Sequence, residues 1–206
     1  MKLLFLIVLS YVIGSIPFSY LFPKLKGIDT RSSGTKNVGA SNALLVSGPL
    51  AGVLSLIGDV LKGFIMIQLA RYFGLSDIGI AFVGLVAVVG HDFSVFLRFN
   101  GGKGVATTGG VLLALDPIFT IMIVLFWILC MMLIRYFIPS TVLVLCLLPL
   151  IIWMSSWGWP YILMGIGFAL LGLYAHRDDI RRFFAGEELT ISQSLAKVFK
   201  KHRGVA

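Results

Sequence analysis

Near the middle of the chain lies Asn100-Gly101-Gly102-Lys103-Gly104-Val105-Ala106-Thr107-Thr108, a glycine-rich segment within an otherwise apolar sequence. Glycine loses more backbone freedom on folding than any other residue, so three glycines around one lysine indicate that the backbone approaches another group closely. Backbone amides in such a loop can converge on an anion, and lysine adds a full positive charge. The segment therefore predicts a phosphate-binding loop at a membrane surface. The alternative is a flexible turn between helices with one solvated lysine.

The composition is that of a polytopic membrane protein. Of the 206 residues, 58% are hydrophobic and 13% are charged, whereas a soluble domain carries about 25% charged residues. The net charge of +8 is concentrated at the ends of apolar runs, so we expect anionic lipid headgroups or an anionic substrate as partners, and no nucleic acid. Cys130 and Cys146 lie inside apolar runs, which favours buried thiols over disulfides. We expect one integral membrane domain over residues 1–206.

Six apolar runs are long enough to cross a bilayer, and a seventh is short. The long runs are Leu3–Leu21, Leu50–Leu69, Ile78–Leu97, Ile118–Ile134, Ile138–Met154 and Trp159–Ala175. We expect the first to be a spanning helix rather than a signal peptide, because no good cleavage site follows it. The short run, Val105–Leu115, contains 11 residues. As a helix it would reach about 16 Å, at a rise of roughly 1.5 Å per residue.

The distribution of lysine and arginine decides whether the short run crosses, since cytoplasmic loops carry an excess of these cations. If it crosses, the first loop, the glycine loop and the C-terminal tail share one side with nearly all of the loop cations. If it does not, the tail lies opposite the glycine loop. We therefore predict an all-α polytopic membrane protein with about seven transmembrane helices, the N-terminus outside and the C-terminus cytoplasmic. The glycine loop must then dip into the membrane as a short re-entrant segment, where irregular backbone is tolerated only against protein or water.

This topology brings three polar segments together at the cytoplasmic face. The first, residues 29–42, is rich in hydroxyl, amide and glycine residues, which can donate hydrogen bonds to phosphate oxygens. Its alternative interpretation is a capped loop that starts a helix at Ser41 or Asn42. The second segment covers residues 91–108 and includes the glycine loop, and the third covers residues 176–182.

Several other chemistries fail on spacing. The glycine loop lacks the hydroxyl residue that follows lysine in a nucleotide-binding P-loop, and the chain has no G-x-S-x-G nucleophile elbow. No aspartate follows His91 or His176 at a distance of five residues, which is the spacing of many other acyltransferases. The histidines and aspartates form no distinctive metal-ligand pattern, so we expect no metal and no cofactor. Asp59 and Lys62 lie within one span, three residues apart, and are expected to neutralise each other.

The C-terminal tail is basic, and part of it is amphipathic. Within residues 192–203, Leu195, Val198 and Phe199 share one helical face and are flanked by lysine and arginine. This pattern is typical of a helix that lies on the inner leaflet. The alternative is a solvated tail.

Together these segments resemble the motifs of the bacterial acyl-phosphate-dependent glycerol-3-phosphate acyltransferases of the PlsY type. The family pattern G-S-G-N-x-G-A-T-N aligns with residues 34–42, the pattern that ends in G-G-K-G-V-A-T with residues 90–107, and H-R-x-N-I-x-R with residues 176–182. Residues 14–18, which read GSIPF, also fit. The resemblance implies a multi-pass enzyme of the bacterial inner membrane that transfers an acyl group from acyl phosphate to the 1-hydroxyl of glycerol 3-phosphate, in phospholipid biosynthesis.

The resemblance also implies roles for individual residues. Lys103, His176 and Thr35 are the expected catalytic residues: Lys103 holds phosphate and stabilises developing charge, and His176 orients phosphate. For His176 the alternative is an interfacial histidine beside a basic tail. The residues expected to bind substrate or its phosphate are Gly34, Asn37, Gly39, Ser41, Asn42, Gly101, Gly102, Gly104 and Asp179. Acyl phosphate already carries a good leaving group, so the protein mainly needs to hold two anions with a hydroxyl facing the carbonyl.

The chain departs from the family pattern at several positions. The milder replacements are Thr35 for serine, Lys36 for glycine, Ser41 for threonine and Ser94 for proline. Leu45 stands where the family has an arginine, and Asp179 where it has an asparagine. Losing a cation and gaining an anion weakens phosphate binding, since each charge-assisted hydrogen bond contributes roughly 1.5–3 kcal/mol. The alternatives are therefore a divergent paralogue with another acceptor, or a non-catalytic transporter or anion-binding membrane protein.

Overall fold

The computed structural model describes residues 1–193, and within that range the chain is helical without strands. The amphipathic segment predicted over residues 192–203 lies outside the described residues, apart from its first two positions. A 3-10 turn covers Val95–Leu97. The helices are α1 (Lys2–Ser15), α2 (Phe18–Lys24), α3 (Ala40–Ser47), α4 (Pro49–Tyr72), α5 (Asp77–Asp92), α6 (Val105–Leu115), α7 (Pro117–Ile134), α8 (Phe137–Met154), α9 (Trp159–Ala175) and α10 (Arg177–Phe184).

The helices confirm a polytopic membrane protein. Among the described residues, the segments long and apolar enough to cross a membrane are Lys2–Lys24, Pro49–Tyr72, Asp77–Leu97, Pro117–Ile134 and Phe137–Met154. Helix α9 reaches that length together with α10, from which it is bent by 59°. Helix α6 is a shorter apolar helix of 11 residues. The number of crossings, predicted as seven, and the orientation of the termini stay predictions.

Capping residues set the ends of the short helix α6. At its start, Gly104 adopts the left-handed conformation with φ of 71°, which glycine reaches without a steric penalty. At its end, Asp116 leaves the helix and caps α7, because its carboxylate accepts hydrogen bonds from the amides of Ile118 (2.9 Å) and Phe119 (3.0 Å). Proline occupies the first or second position of three of the long helices, at Pro49, Pro117 and Pro160, where its missing N–H would have had no partner.

Glycines allow α6 to sit deep among the longer helices. A Cβ atom at Gly63 of α4 would overlap the carbonyl of Thr107 on α6, and one at Gly110 would overlap the carbonyl of Val60. Helix backbones in a membrane approach this closely only where small residues meet. Helix α6 is therefore enclosed by protein, which is the condition under which a re-entrant loop at its start can exist.

Two short helices and one break differ from the predicted elements. Helix α3 begins at Ala40, near the end of the first polar segment and next to the start considered for the capped-loop alternative, and it continues past that segment. Helix α10 begins in the third polar segment, for which no helix was predicted, and also continues past it. The predicted first span, Leu3–Leu21, consists of α1 and α2 with a break at residues 16–17. The break follows from Pro17, which has no N–H to continue the helix.

Candidate active site

The glycine loop and the third polar segment meet in the folded chain. The Nζ atom of Lys103 contacts the carboxylate of Asp179 in the first turn of α10, and the two side chains are 20% and 7% exposed. Four apolar helices, α6 to α9, lie between these residues in the sequence. Both ends can lie at the same membrane face only if the number of crossings between them is even. The contact therefore supports a crossing by the short helix α6.

Two backbone amides of the glycine loop donate hydrogen bonds to carbonyl groups at the end of α5. The Gly101 amide donates to the carbonyl of Asp92 (2.9 Å) and the Gly102 amide to the carbonyl of His91 (3.1 Å). These two groups therefore hold the loop against the end of α5 and do not point at an anion, in contrast to the role expected from the sequence. The first amides of α6 have no acceptor within the helix. Together with Lys103, they are the donors that this geometry leaves for a phosphate.

Gly102 is a glycine because its neighbours leave no space for a side chain. A Cβ atom there would overlap Nε2 of the His91 imidazole and lie 2.5 Å from the carbonyl oxygen of Val38. Val38 belongs to the first polar segment, so this contact joins that segment to the glycine loop. The first and second polar segments thus lie side by side, as the topology predicted.

We expect Gly102→Ala to lower kcat/KM by about a hundredfold, because a displacement of about 1 Å at a site can cost that much. The added methyl group would push the loop away from His91 and Val38. Gly109→Ala is the matched control, since a Cβ atom at Gly109 of α6 meets nothing within 4 Å. The measurement is the kcat/KM of both variants and of the wild-type protein by steady-state kinetics. Equal activities of the two variants would show that the loop tolerates displacement.

Asn42 organises the first polar segment from within. Its Oδ1 accepts a hydrogen bond from the Thr35 amide (2.9 Å), and its Nδ2 lies within hydrogen-bonding distance of the carbonyls of Thr30 (3.0 Å), Ser33 (3.1 Å) and Asn37 (2.8 Å). Asn42 is fully buried. Its amide therefore shapes the loop by contacting the loop backbone, and the predicted contact of Asn42 with substrate stays a prediction.

The remaining predicted donors of this segment face outward. The side chains of Thr35 and Ser41 are exposed, and Asn37 and Gly39 are half-buried. Gly34 has φ of 63° and lies against Asn42. The Thr35 hydroxyl oxygen accepts a hydrogen bond from the Asn37 amide (3.5 Å). It keeps its own proton to donate, so the Thr35 and Ser41 hydroxyls can both face a ligand.

Lys36 and Leu45 change the charge of this surface. Lys36 is exposed and has a left-handed backbone with φ of 60°, a conformation that costs an L-residue about 1 kcal/mol or more. Leu45 is half-buried on α3, one helical turn after Ser41. An apolar side chain therefore occupies the turn that follows the Ser41 hydroxyl, and the cations of this segment, Arg31 and Lys36, lie on the loop before α3.

His176 lies between α9 and α10 and is 2% exposed. Its Nδ1 lies 2.8 Å from the carbonyl oxygen of Gly172, so in the neutral ring Nδ1–H donates to that carbonyl and Nε2 is an acceptor. Burial, and next the charge of Lys103, lower the pKa of His176 below its ordinary value. The ring is therefore neutral at neutral pH. It can orient a hydroxyl or a protonated phosphate oxygen, and it adds no positive charge to the site.

A buried polar cluster lies beneath the glycine loop. The ion pair of Asp59 and Lys62 expected from the sequence is confirmed, with 2.9 Å between Nζ and Oδ1 and both side chains 1% exposed. Ser19 donates to Asp59 (2.5 Å), Lys62 donates to the carbonyl of Ile16 (3.1 Å), and Nδ1 of His91 lies 3.6 Å from Asp59. The sequence pairs the two charged residues, but it carries no signal that Ser19 and His91 join them.

Comparison with known proteins finds relatives that match nearly the whole chain. The sequence model of the family described as glycerol-3-phosphate acyltransferase matches residues 4–186. The glycerol-3-phosphate acyltransferase of Desulforudis audaxviator is 38% identical over 185 residues, which cover 89% of this chain and 93% of that protein. The enzyme of the same name from Syntrophomonas wolfei is 39% identical over 188 residues, which cover 91% of this chain and 96% of that protein.

Two crystal structures share the fold. Both are of PlsY, an integral membrane glycerol 3-phosphate acyltransferase, one in its glycerol 3-phosphate form and one in its lysophosphatidic acid form. The first has a TM-score of 0.87 at 35% identity and covers 93% of this chain and 96% of that chain. The second has a TM-score of 0.87 at 34% identity and covers 95% and 99%. On sequence and on fold, this chain belongs to the glycerol-3-phosphate acyltransferase family.

Proposed function

We propose that this chain transfers an acyl group from acyl phosphate to the 1-hydroxyl of glycerol 3-phosphate. The products are lysophosphatidic acid and inorganic phosphate, made at the inner membrane of a bacterium. Family membership supports the reaction class. The observation that carries the proposal is the meeting of Lys103, the start of α6 and the His176 segment at one end of the helix bundle. Both substrates are anions with a phosphate group, and this place combines a cation with free amide donors.

Two groups of donors can hold the two phosphates. Lys103 and the first amides of α6 form one group, in which a lysine charge and the positive end of a helix act on the same anion. The exposed hydroxyls of Thr35 and Ser41 form the other. The contact between Val38 and Gly102 keeps the two groups adjacent. The substrate hydroxyl can then be held facing the acyl carbonyl, which is the main requirement for a donor that is already activated.

The reaction needs no nucleophile from the protein. The oxygen of the acceptor hydroxyl attacks the acyl carbon, the bond from that carbon to the phosphate oxygen breaks, and the hydroxyl proton passes to the departing phosphate. Lys103 stabilises the negative charge that develops on the phosphate. Neutral His176 has an accepting Nε2 with which it can orient the hydroxyl or the phosphate. The acyl chain of the donor lies between helices, open to lipid.

The direct test uses purified protein, a long-chain acyl phosphate and labelled glycerol 3-phosphate. We expect labelled lysophosphatidic acid and one inorganic phosphate for each molecule formed. An acyl thioester in place of acyl phosphate is the control for donor choice and should give no product. Phosphate release with another hydroxyl compound, but not with glycerol 3-phosphate, would show that the acceptor differs. Absence of any acyl transfer from acyl phosphate would contradict the proposed reaction.

A further inference from the structure

Asp179 places its two carboxylate oxygens on two different cations. Oδ2 contacts Nζ of Lys103 in the glycine loop, and Oδ1 contacts the guanidinium of Arg182, one turn later on α10. The Asp179 side chain is 7% exposed, whereas that of Arg182 is 46% exposed. The carboxylate thus reaches from α10 onto the cation of the glycine loop, in a place largely shielded from solvent.

Lys103 belongs to a chain of ion pairs that contains two cations and two carboxylates. Glu188 adds a second carboxylate, whose Oε2 lies 3.6 Å from Nε of Arg182. Lys103 and Arg182 are therefore matched by Asp179 and Glu188, and the four side chains carry no net charge. A phosphate bound by Lys103 would need the same ammonium hydrogens that now face Asp179, and it would meet a carboxylate at close range.

We propose that Asp179 competes with the substrate phosphate for Lys103 and thereby lowers the affinity of the enzyme for its anionic substrates. The proposal rests on the function proposed above, in which Lys103 binds phosphate. Arg182 makes the competition reversible, because a carboxylate that leaves Lys103 keeps an ion pair on its own helix. Asp179 is then a residue that sets substrate affinity, and its loss should strengthen binding. A purely structural role predicts the opposite sign.

The test is Asp179→Asn, which keeps the shape of the side chain and removes its charge. In equilibrium binding with labelled glycerol 3-phosphate, we expect the dissociation constant to fall about tenfold. This is the expected effect of losing the charge-assisted contact between Asp179 and Lys103, which competes with the phosphate. Inhibition by inorganic phosphate should strengthen by a similar factor. Asp178→Asn is the matched control. Asp178 is the preceding residue on the same helix, is 61% exposed and pairs with Arg181 at 3.2 Å, so its substitution should change neither measurement.

Unchanged or weaker binding by an Asp179→Asn protein with the wild-type melting temperature would overturn the proposal. If the Asp179→Asn protein melts at a lower temperature, Asp179→Ser is measured as a second variant that removes the charge. The proposal requires it, too, to bind glycerol 3-phosphate more tightly than the wild type. Weaker binding by both variants overturns the proposal. The binding assay involves no turnover. A chain that binds glycerol 3-phosphate but transfers no acyl group would therefore contradict the proposed reaction, while the comparison of binding constants still tests the role of Asp179.

Discussion

Lys103→Ala should abolish acyl transfer, with a fall in kcat/KM of about a thousandfold or more. Lys103 is the cation at the start of α6, and removing one preorganised group that stabilises developing charge typically lowers the rate by about a hundredfold to a thousandfold. Loss of phosphate binding adds to this effect. The measurement is steady-state kinetics with acyl phosphate and glycerol 3-phosphate, on protein purified from membranes.

The same variant should fold and insert normally. The Lys103 side chain is 20% exposed, and its partner Asp179 retains Arg182 when the lysine is removed. Lys24→Ala is the control, because Lys24 is an exposed lysine at the end of α2 and should be replaceable without effect. Normal turnover by Lys103→Ala would remove this residue from the mechanism. Equal losses in both variants would point to a general effect of surface charge.

Lys62→Met should destabilise the protein by about 3–5 kcal/mol, the usual cost of breaking a buried ion pair by removing one partner. The substitution leaves Asp59 buried with a charge that only Ser19 and His91 face among the described residues. The double variant Asp59→Asn/Lys62→Met should regain much of the loss, because it leaves no unpaired charge. Thermal or denaturant unfolding in detergent measures the free-energy differences.

An exposed pair with the same spacing provides the control for this prediction. Asp178 and Arg181 are also three residues apart on one helix, but their side chains are 61% and 79% exposed. Arg181→Gln should therefore cost about 0–1 kcal/mol. If Lys62→Met proved as mild as Arg181→Gln, the polar cluster would not be a source of stability. If the double variant proved no better than Lys62→Met, the loss would come from packing rather than from the stranded charge.

Much of the fold follows from local signals in the sequence. The predicted short run Val105–Leu115 and the helix α6 have the same bounds. Gly104 caps the start of this helix, and the Asp116-Pro117 pair ends it, so both ends are visible in the sequence. The ends of the other spans fall within a few residues of the predicted ones. Helix α10 was missed, although it carries acidic residues in its first turn and basic residues in its last, the pattern that favours a helix through its dipole.

The site could be predicted in part. Sequence motifs identify Lys103, His176 and the three polar segments, but they do not reveal which amides remain free. Gly101 and Gly102 look like phosphate donors until the carbonyls of His91 and Asp92 are seen to accept their hydrogen bonds. Such pairings depend on the path of the backbone in three dimensions.

Long-range contacts between side chains could not be predicted from the sequence either. Asp179 is visible as a departure from the family pattern, but its contact with Lys103 joins residues separated by 76 positions. Asn42 is similar, since a loop asparagine can face a ligand or hold its own loop. The structure shows that its amide serves the loop.

The central claim is that the short helix α6 crosses the membrane and so brings the glycine loop and α10 to the same, cytoplasmic face. Cysteine labelling tests it in a background that lacks Cys130 and Cys146. Asn100→Cys in the glycine loop, Asp178→Cys on α10 and Ser156→Cys between α8 and α9 are all exposed positions. The seven-span arrangement predicts that an impermeant thiol reagent reaches residues 100 and 178 only in inside-out vesicles, and residue 156 in intact cells. Labelling of residues 100 and 178 from opposite sides would contradict it.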